Sequence, residues 1–387
     1  MARKRSNTLS PAAALTRLRQ LVGPGGIVQA ELTRGKLELS AVQRRDSYAL
    51  ESTGIFLQAT LQAADGAAPF QPCAVPLRAL SAALKGAKAV PPIQRRDSLI
   101  TVGRTTICTM PDEAPIVLPV CLPDIDPAWG PVAGEIGALA PFVTKDDTRT
   151  GIHGVYLDFA GFLVATDGHR LGCTRVSVGG ELPHNFGRAP ADNHSGQGPL
   201  LPRKAAELLA RLPASTGGAF DPDGHGLFRF IGEGWDLRAW GAAGQFPDWR
   251  EVVPKYGARD SMRLRLPASA MLEIGKLAGM TRKGGGAPLR LTFPHGFGSL
   301  DCVQWSTHGD GDAQSAGRLP LRAKYVSDKA PDRIGLNGRY FTDAIGFLSG
   351  RSPVGSIGFR VEDALSPIVL GGARSNRAVV VMPMRVG

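Results

Sequence analysis

The sequence predicts an α+β chain built from three tandem copies of one module, each with β-rich stretches and two helices. Three observations predict it. An apolar residue, then Pro or Asn, then a short amphipathic helix recurs in "VPLRALSAALKGA" from Val75, "LPRKAAELLARL" from Leu201 and "LNGRYFTDAIGFL" from Leu336. The marks Pro76, Pro202 and Asn337 recur at about one third of the chain length, the signature of an internal repeat. Each helix is followed by strand patterns that close on a residue–proline pair: Met110-Pro111, Phe246-Pro247 and Met382-Pro383. With 387 residues the chain exceeds one ordinary core. The repeats divide it into expected domains at 1–130, 131–260 and 261–387.

The elements follow in order. Ser10 is a side-chain N-cap and Pro11 suits the first helical position, so a helix is expected to Leu21. "PASAMLEIGKLAGM" from Pro267 is its counterpart in the third copy. The second copy's counterpart is expected in "GEIGALAPFVTKDD", short or truncated because it holds Pro141. Pro183 to Pro199, rich in Gly, Pro, Asn and Ser, reads as an exposed insertion. A second polar loop is expected from Thr307 to Gly317.

"FLVATDGHRLGCTRV", Phe162 to Val176, concentrates an Asp, a His and an Arg around one glycine. Asp-Gly between apolar runs is a strong hairpin signal, because a type I′ turn needs positive φ at both central residues. With Asp167 and Gly168 at the tip, Thr166 is expected opposite His169, Ala165 opposite Arg170 and Val164 opposite Leu171. Val164, Thr166, His169 and Leu171 then share one face, with Arg170 on the other. Such a face is a shallow site for an apolar side chain, or simply a hairpin with nothing bound. A hydrolase using Asp167 and His169 is a further alternative, although no G-x-S-x-G pattern supplies a nucleophile.

Composition narrows the classes. A hydrophobic fraction of 43% with 20% charged residues describes a soluble globular protein. No apolar run approaches the ~18 residues of a membrane span. The basic start "MARKRSN" has no apolar segment behind it, so no secretory signal is expected and the protein is expected in the cytoplasm. The five cysteines, Cys73, Cys108, Cys121, Cys173 and Cys302, form no C-x-x-C pair and read as reduced, mostly buried thiols. The histidines show no metal spacing; neither metal nor cofactor is expected. A net charge of +11 suits a polyanionic partner or simple solubility.

"ATDGHRL", Ala165 to Leu171, resembles the signature hairpin of the bacterial DNA sliding clamp, the β subunit of DNA polymerase III. "DDTRTGIHGVYLDF" from Asp146, "LPRKAAELL", "GQFPDWREVVPK" from Gly244, "DALSPIVL" from Asp363 and "VVVMPMRV" from Val379 agree in order and spacing. The resemblance implies the DNA-clamp domain three times over, with antiparallel sheets outside and helices inside. It implies a head-to-tail homodimeric ring around duplex DNA, and only through this resemblance is nucleoid association expected. By resemblance, Arg104 and Ile107 on one side and Met280 on the other are dimer-interface residues. The basic residues expected on inner helices are Arg17, Arg19, Arg78, Lys85, Arg203, Lys204, Arg211, Lys276 and Arg339. Weak, sequence-independent phosphate contacts suffice for a threaded ring.

The family also implies a groove that binds short peptides of polymerases, the polymerase III α subunit among them, and of the clamp loader. Carried over, it comprises Arg149, Ile152, Thr166, Gly168, His169, Arg170, Leu171, Pro247, Val252, Tyr340, Leu365, Pro367, Val380, Met382, Pro383, Met384 and Arg385. A non-catalytic processivity factor is therefore expected, with a non-encircling adaptor as the alternative. The chain departs from the family pattern in its basic charge and in Thr150-Gly151, where aromatic residues are common. It resembles a divergent clamp, either a main clamp or a second copy.

Overall fold

The computed structural model describes residues 10–23, 27–33, 36–44, 54–63, 69–87, 89–110, 122–176, 198–222, 226–242, 244–254, 262–280, 288–293, 302–308, 313–320, 323–325, 331–350, 355–372 and 376–385. The expected insertion 183–199 lies outside them except for its last two residues.

The first repeat runs α1 (Pro11–Val22), β1 (Ile27–Thr33), β2 (Lys36–Arg44), β3 (Gly54–Gln62), β4 (Phe70–Pro76), α2 (Leu77–Ala83), β5 (Ile93–Arg96), β6 (Leu99–Val102) and β7 (Thr105–Cys108). The second runs α3 (Trp129–Leu139), β8 (Gly154–Asp158), β9 (Phe162–Thr166), β10 (Arg170–Arg175), β11 (Leu200–Pro202), α4 (Arg203–Leu209), β12 (Ser215–Asp221), β13 (Leu227–Gly232) and β14 (Trp235–Trp240). A single turn, α5 (Trp249–Val252), and β15 (Met262–Pro267) lead into the third. It runs α6 (Ala268–Met280), β16 (Pro288–Thr292), β17 (Cys302–His308), β18 (Ala313–Pro320), β19 (Ala323–Tyr325), β20 (Arg333–Asn337), α7 (Gly338–Ser349), β21 (Ser356–Val361), β22 (Ile368–Gly372) and β23 (Arg377–Val381). Helix, four strands, helix, three strands recurs, with β19 added in the third copy.

Local chemistry sets the helix ends. The Ser10 hydroxyl accepts the Ala13 N–H at 3.3 Å, and Gly23 at φ +83° returns its N–H to the Arg19 carbonyl. Pro76, Pro202 and Asn337 are the N-caps of α2, α4 and α7. Asn337 alone caps with its side chain, its Oδ1 accepting from Arg339 and Tyr340 N–H.

Two expectations are corrected. The second copy's first helix is not truncated: α3 has 11 residues and starts at Trp129, so the expected boundary after residue 130 cuts its first turn. Pro131 sits where no intrahelical N–H is needed, and Pro141 falls in the 3-10 turn Ala140–Phe142 that follows. Trp129 anchors that start, fully buried and edge-on to Phe230 at 6.0 Å. The segment Thr307 to Gly317 is not a loop throughout. Thr307 pairs with Ser315 and Trp305 with Gly317 across β17 and β18.

The chain's contacts divide it into two compact units, 1–137 with 157–161 and 177–243, and 138–156 with 162–176 and 244–387. The division passes through the expected second domain. In the first unit one sheet runs β12–β13–β14–β3–β2–β1–β4, so Trp235–Ala59 and Leu237–Leu57 pairs join strands of the first and second repeats. A separate sheet is β5–β6–β7, and α1 packs on α2 and α4. In the second unit one sheet contains β9–β10–β23–β22–β21–β15–β19, joining strands of the second and third repeats at β10–β23. Another is β18–β17–β16–β20, and α6 packs on α7. Strand edges that would otherwise be open are thus paired across repeats.

Candidate functional site

The hairpin β9–β10 does not have the expected register. Thr166 pairs with Leu171, Ala165 with Gly172 and Val164 with Cys173, leaving Asp167 to Arg170 as a four-residue tip. The cause is the Asp167 carboxylate. Its Oδ1 accepts the N–H groups of His169 (2.9 Å) and Arg170 (3.1 Å), so the chain wraps around it instead of making a two-residue turn. The Thr166 hydroxyl donates to the Arg170 carbonyl at 2.7 Å and accepts from Gly168 N–H at 3.1 Å. Gly168 has φ +90°, and the Arg149 guanidinium lies over it, donating to the Asp167 carbonyl at 2.9 Å. His169 therefore stands on the tip and not in the strand face that holds Val164, Thr166 and Leu171.

The same geometry removes the Asp167–His169 pair as a catalytic dyad. The contact between them is backbone N–H to carboxylate, and Asp167 Oδ2 is taken by Arg170 Nε at 3.0 Å. The His169 ring stacks on Tyr340 instead, with centroids 6.1 Å apart and planes 18° from parallel. Burial, and then the nearby Asp167 charge, push the Tyr340 phenol above its usual range.

Three strands end together beside this tip. Ile368 pairs with Val381, and Val381 pairs with Arg170, so the residues just beyond emerge at one end of the sheet. These are Pro367 with its turn, Met382, and His169. Met382 N–H donates to the His169 carbonyl at 2.9 Å, and Met384 N–H donates to the Gly335 carbonyl at 2.8 Å. The tail is thereby pinned between the hairpin tip and β20. The turn before β22 is held by Asp363, whose Oδ1 accepts from Leu365 and Ser366 N–H at 2.7 Å each. Its Oδ2 accepts the Ser366 hydroxyl, and these bonds hold the Asp363 carboxyl below the usual range.

Three large apolar side chains are exposed here. Leu365 is 59% exposed, Met382 39% and Met384 37%. The expected groove residues divide accordingly. Ile152, Leu171 and Val380 are buried. Thr166, Tyr340, Pro367 and Pro383 are half-buried, and Gly168 and Arg385 are exposed. Arg170, expected on the opposite hairpin face from Thr166 and carried over to the groove only by resemblance, is 5% exposed, because strand alternation aims it with Gly172 toward Phe142. Val252, 45% exposed, and Pro247 sit on a segment anchored by Trp249 on Phe162, at the opposite end of β9 from the tip.

Sequence reasoning missed four supports: Asp343, Pro141, Gly335 and Asp363. Asp343 had a local signal, three residues after Tyr340 on one helix face. Asp363 had one too, an Asp followed three residues later by Ser, as in a side-chain-held turn. Pro141 and Gly335 act through backbone carbonyls, which leave no residue-type signature.

No family model matches the chain, and no curated protein matches it in sequence. Solved structures do. The DnaN sliding clamp (DNA polymerase III subunit β) of Bartonella birtlesii, bound to griselimycin, aligns over 97% of both chains with TM-score 0.70 at 18% identity. The C. crescentus β sliding clamp aligns over 97% of this chain and 98% of its own, with TM-score 0.70 at 18% identity. The Helicobacter pylori β clamp bound to a DNA ligase peptide covers 97% of both, with TM-score 0.69 at 15% identity.

This chain has the bacterial sliding-clamp fold.

On the clamp fold, the expected basic residues fall mainly on or beside helices. Arg17 and Arg19 are on α1, Arg78 is on α2 with Lys85 just beyond it, Arg203 and Lys204 open α4, and Arg211 follows it. Arg339 is exposed in the first turn of α7. Lys276 and Met280 lie on α6, and their side chains lie outside the described residues. Arg203 is committed to an ion pair with Glu207. Burial, and then the charge of Arg211, lower the Arg17 pKa. Of the expected interface residues, Arg104 is exposed beside the edge strand β7, whereas Ile107 is buried within its own sheet and offers little surface. Among the described residues of this clamp-fold chain, no His, Cys, Asp and Glu group could hold a metal, and no helix is long and apolar enough to cross a membrane.

Proposed function

We propose that this protein is a DNA sliding clamp: two copies close head to tail around duplex DNA and tether polymerases and other partners by short peptides. The observation that carries the reading is the apolar row of Leu365, Met382 and Met384 beside the His169 tip, on a clamp fold. The Helicobacter pylori neighbour's DNA ligase peptide shows that a protein of this fold takes a peptide ligand. Methionines suit a surface with several partners, because thioether chains repack around different side chains. Burying one Leu and one Phe anchor contributes about 1.5–3 kcal/mol each toward the roughly −8 kcal/mol of a micromolar complex. Two sites per ring and the shared DNA raise the effective concentration.

The basic helices α1, α2, α4 and α7 face the duplex in this reading. The contacts need not be strong, because a closed ring leaves DNA only by opening or by sliding off an end. No catalytic group is required.

The test is retention on DNA after loading. A clamp stays on nicked circular DNA and is lost when that DNA is linearised; equal retention on both forms would mean ordinary binding. The adaptor reading predicts a stable monomer in sedimentation at micromolar concentration, where the clamp reading predicts a dimer.

A further inference from the structure

Arg170 carries more interactions than a surface contact needs. It opens β10 and is buried. Its Nη1 lies 2.7 Å from Asp343 Oδ2, its Nη2 2.6 Å from the Pro141 carbonyl, and its Nε 3.0 Å from Asp167 Oδ2. Its guanidinium carbon lies 4.4 Å from the centroid of the Tyr340 ring and 5.0 Å from that of Phe142. The planar fork thus bonds in its plane to three oxygens and stacks on aromatic faces, a fit that a lysine ammonium cannot reproduce. Two carboxylates offset one buried cation, and each also serves its own element. Asp167 shapes the hairpin tip, and Asp343 belongs to α7.

We infer that Arg170 is a positioning residue of the peptide site, through which α7 sets the recognition surface without Arg170 or Asp343 touching the ligand. This rests on the peptide-binding reading above. The path is short. Asp343 holds Arg170, whose neighbour His169 presents the carbonyl that fixes Met382 N–H. One turn of α7 away, Tyr340 supplies the ring on which the His169 imidazole stacks. The same helix turn therefore orients the His169 backbone through an ion pair and its ring through a face contact. Buried pairs of this kind are weak sources of net stability and good devices for fixing one geometry. A recognition surface made of a loop tip and a chain tail needs such a device, because neither is held by a continuous ladder on both sides.

Asp343→Asn is the informative change. It removes one charge of the cluster while Asp167 still pairs with Arg170. The measurements are fluorescence anisotropy with a labelled peptide bearing Leu and Phe anchors, and NMR of the His169 ring protons and Met382 methyl group in the peptide-free protein. Asp343→Asn is expected to move both sets of resonances and to weaken the peptide about tenfold, the scale of coupled neighbours. Asp343→Glu, which keeps the carboxylate, is expected to recover most of that loss. Should the Asn variant not fold, Tyr340→Leu removes the stack and leaves the ion pairs, and the same resonances are expected to move. Unmoved His169 and Met382 resonances in the folded variant would overturn the inference. If the wild-type protein binds no peptide, the functional reading fails, and the peptide-free spectra still decide the role of Arg170.

Discussion

Met382 donates its backbone N–H to the carbonyl of His169 across 2.9 Å, and this bond ties the chain's last strand to a hairpin more than two hundred residues earlier. The Met382 side chain plays no part in it, so backbone placement and apolar exposure are separable. Met382→Ala is expected to leave the thermal midpoint within about 1 °C, since exposed substitutions usually change stability little. Peptide affinity is expected to fall about fivefold, from roughly 1 kcal/mol of lost apolar contact. Anisotropy titration beside a melting curve checks both; unchanged affinity would remove Met382 from the surface.

Gly168 is required by backbone geometry. Its φ is +90°, and a Cβ there would lie 2.7 Å from the Arg149 Nη2. Gly168→Ala should strain the tip and displace the guanidinium from the Asp167 carbonyl. Destabilisation of about 1–3 kcal/mol is expected in urea unfolding. A change smaller than the error of that measurement would show that the tip relaxes freely.

Gly151 faces a harder obstacle. A Cβ at this position would lie 2.5 Å from the Gln245 carbonyl oxygen, a backbone atom with no rotamer to escape by. The aromatic residues common in the family at Thr150-Gly151 therefore cannot enter at Gly151 without moving the 244–245 segment. Gly151→Ala is expected to lower the thermal midpoint by several degrees, corresponding to about 1–3 kcal/mol of overpacking. Differential scanning calorimetry reads it directly.

The turn that presents Leu365 should depend on pH. Asp363 is held below its ordinary value of 3.8 by the Ser366 hydroxyl first and then by the Leu365 N–H. A carboxylate depressed in the folded state contributes its stabilisation fully above the unfolded value. That contribution is lost as pH falls below 3.8 and through the folded value. The Leu365 and Ser366 amide resonances should therefore shift only below that range, and Asp363→Asn should show the loosened turn at neutral pH. Amide shifts that titrate well above 3.8 would contradict the assignment.

The thiols should differ sharply in reactivity. Cys108 is exposed, whereas burial pushes the Cys173 thiol up to about 11. Only the thiolate reacts with alkylating reagents. At pH 8, iodoacetamide should label Cys108 and spare Cys173 in the folded protein, with mass spectrometry of tryptic peptides as the readout. Prompt labelling of Cys173 would mean that β10 opens.

Much of this molecule was legible from residue order. The three helix marks at Pro76, Pro202 and Asn337, the Ser10-Pro11 start and the apolar tail follow from local rules of capping, spacing and alternation. Such rules act within a few residues, so a one-dimensional string contains them. The hairpin tip was not legible in this way. Asp-Gly predicts a two-residue turn, but two local signals compete there, and the Asp167 carboxylate, by collecting the His169 and Arg170 N–H groups, wins over the Asp-Gly turn. The burial of Arg170, the pairing of Trp235 with Ala59 and the hold of Gly335 on Met384 were decided by tertiary structure. Each joins groups far apart along the chain, and partner, register and desolvation at such a meeting are set by the packing of whole strands, not by the identity of either residue.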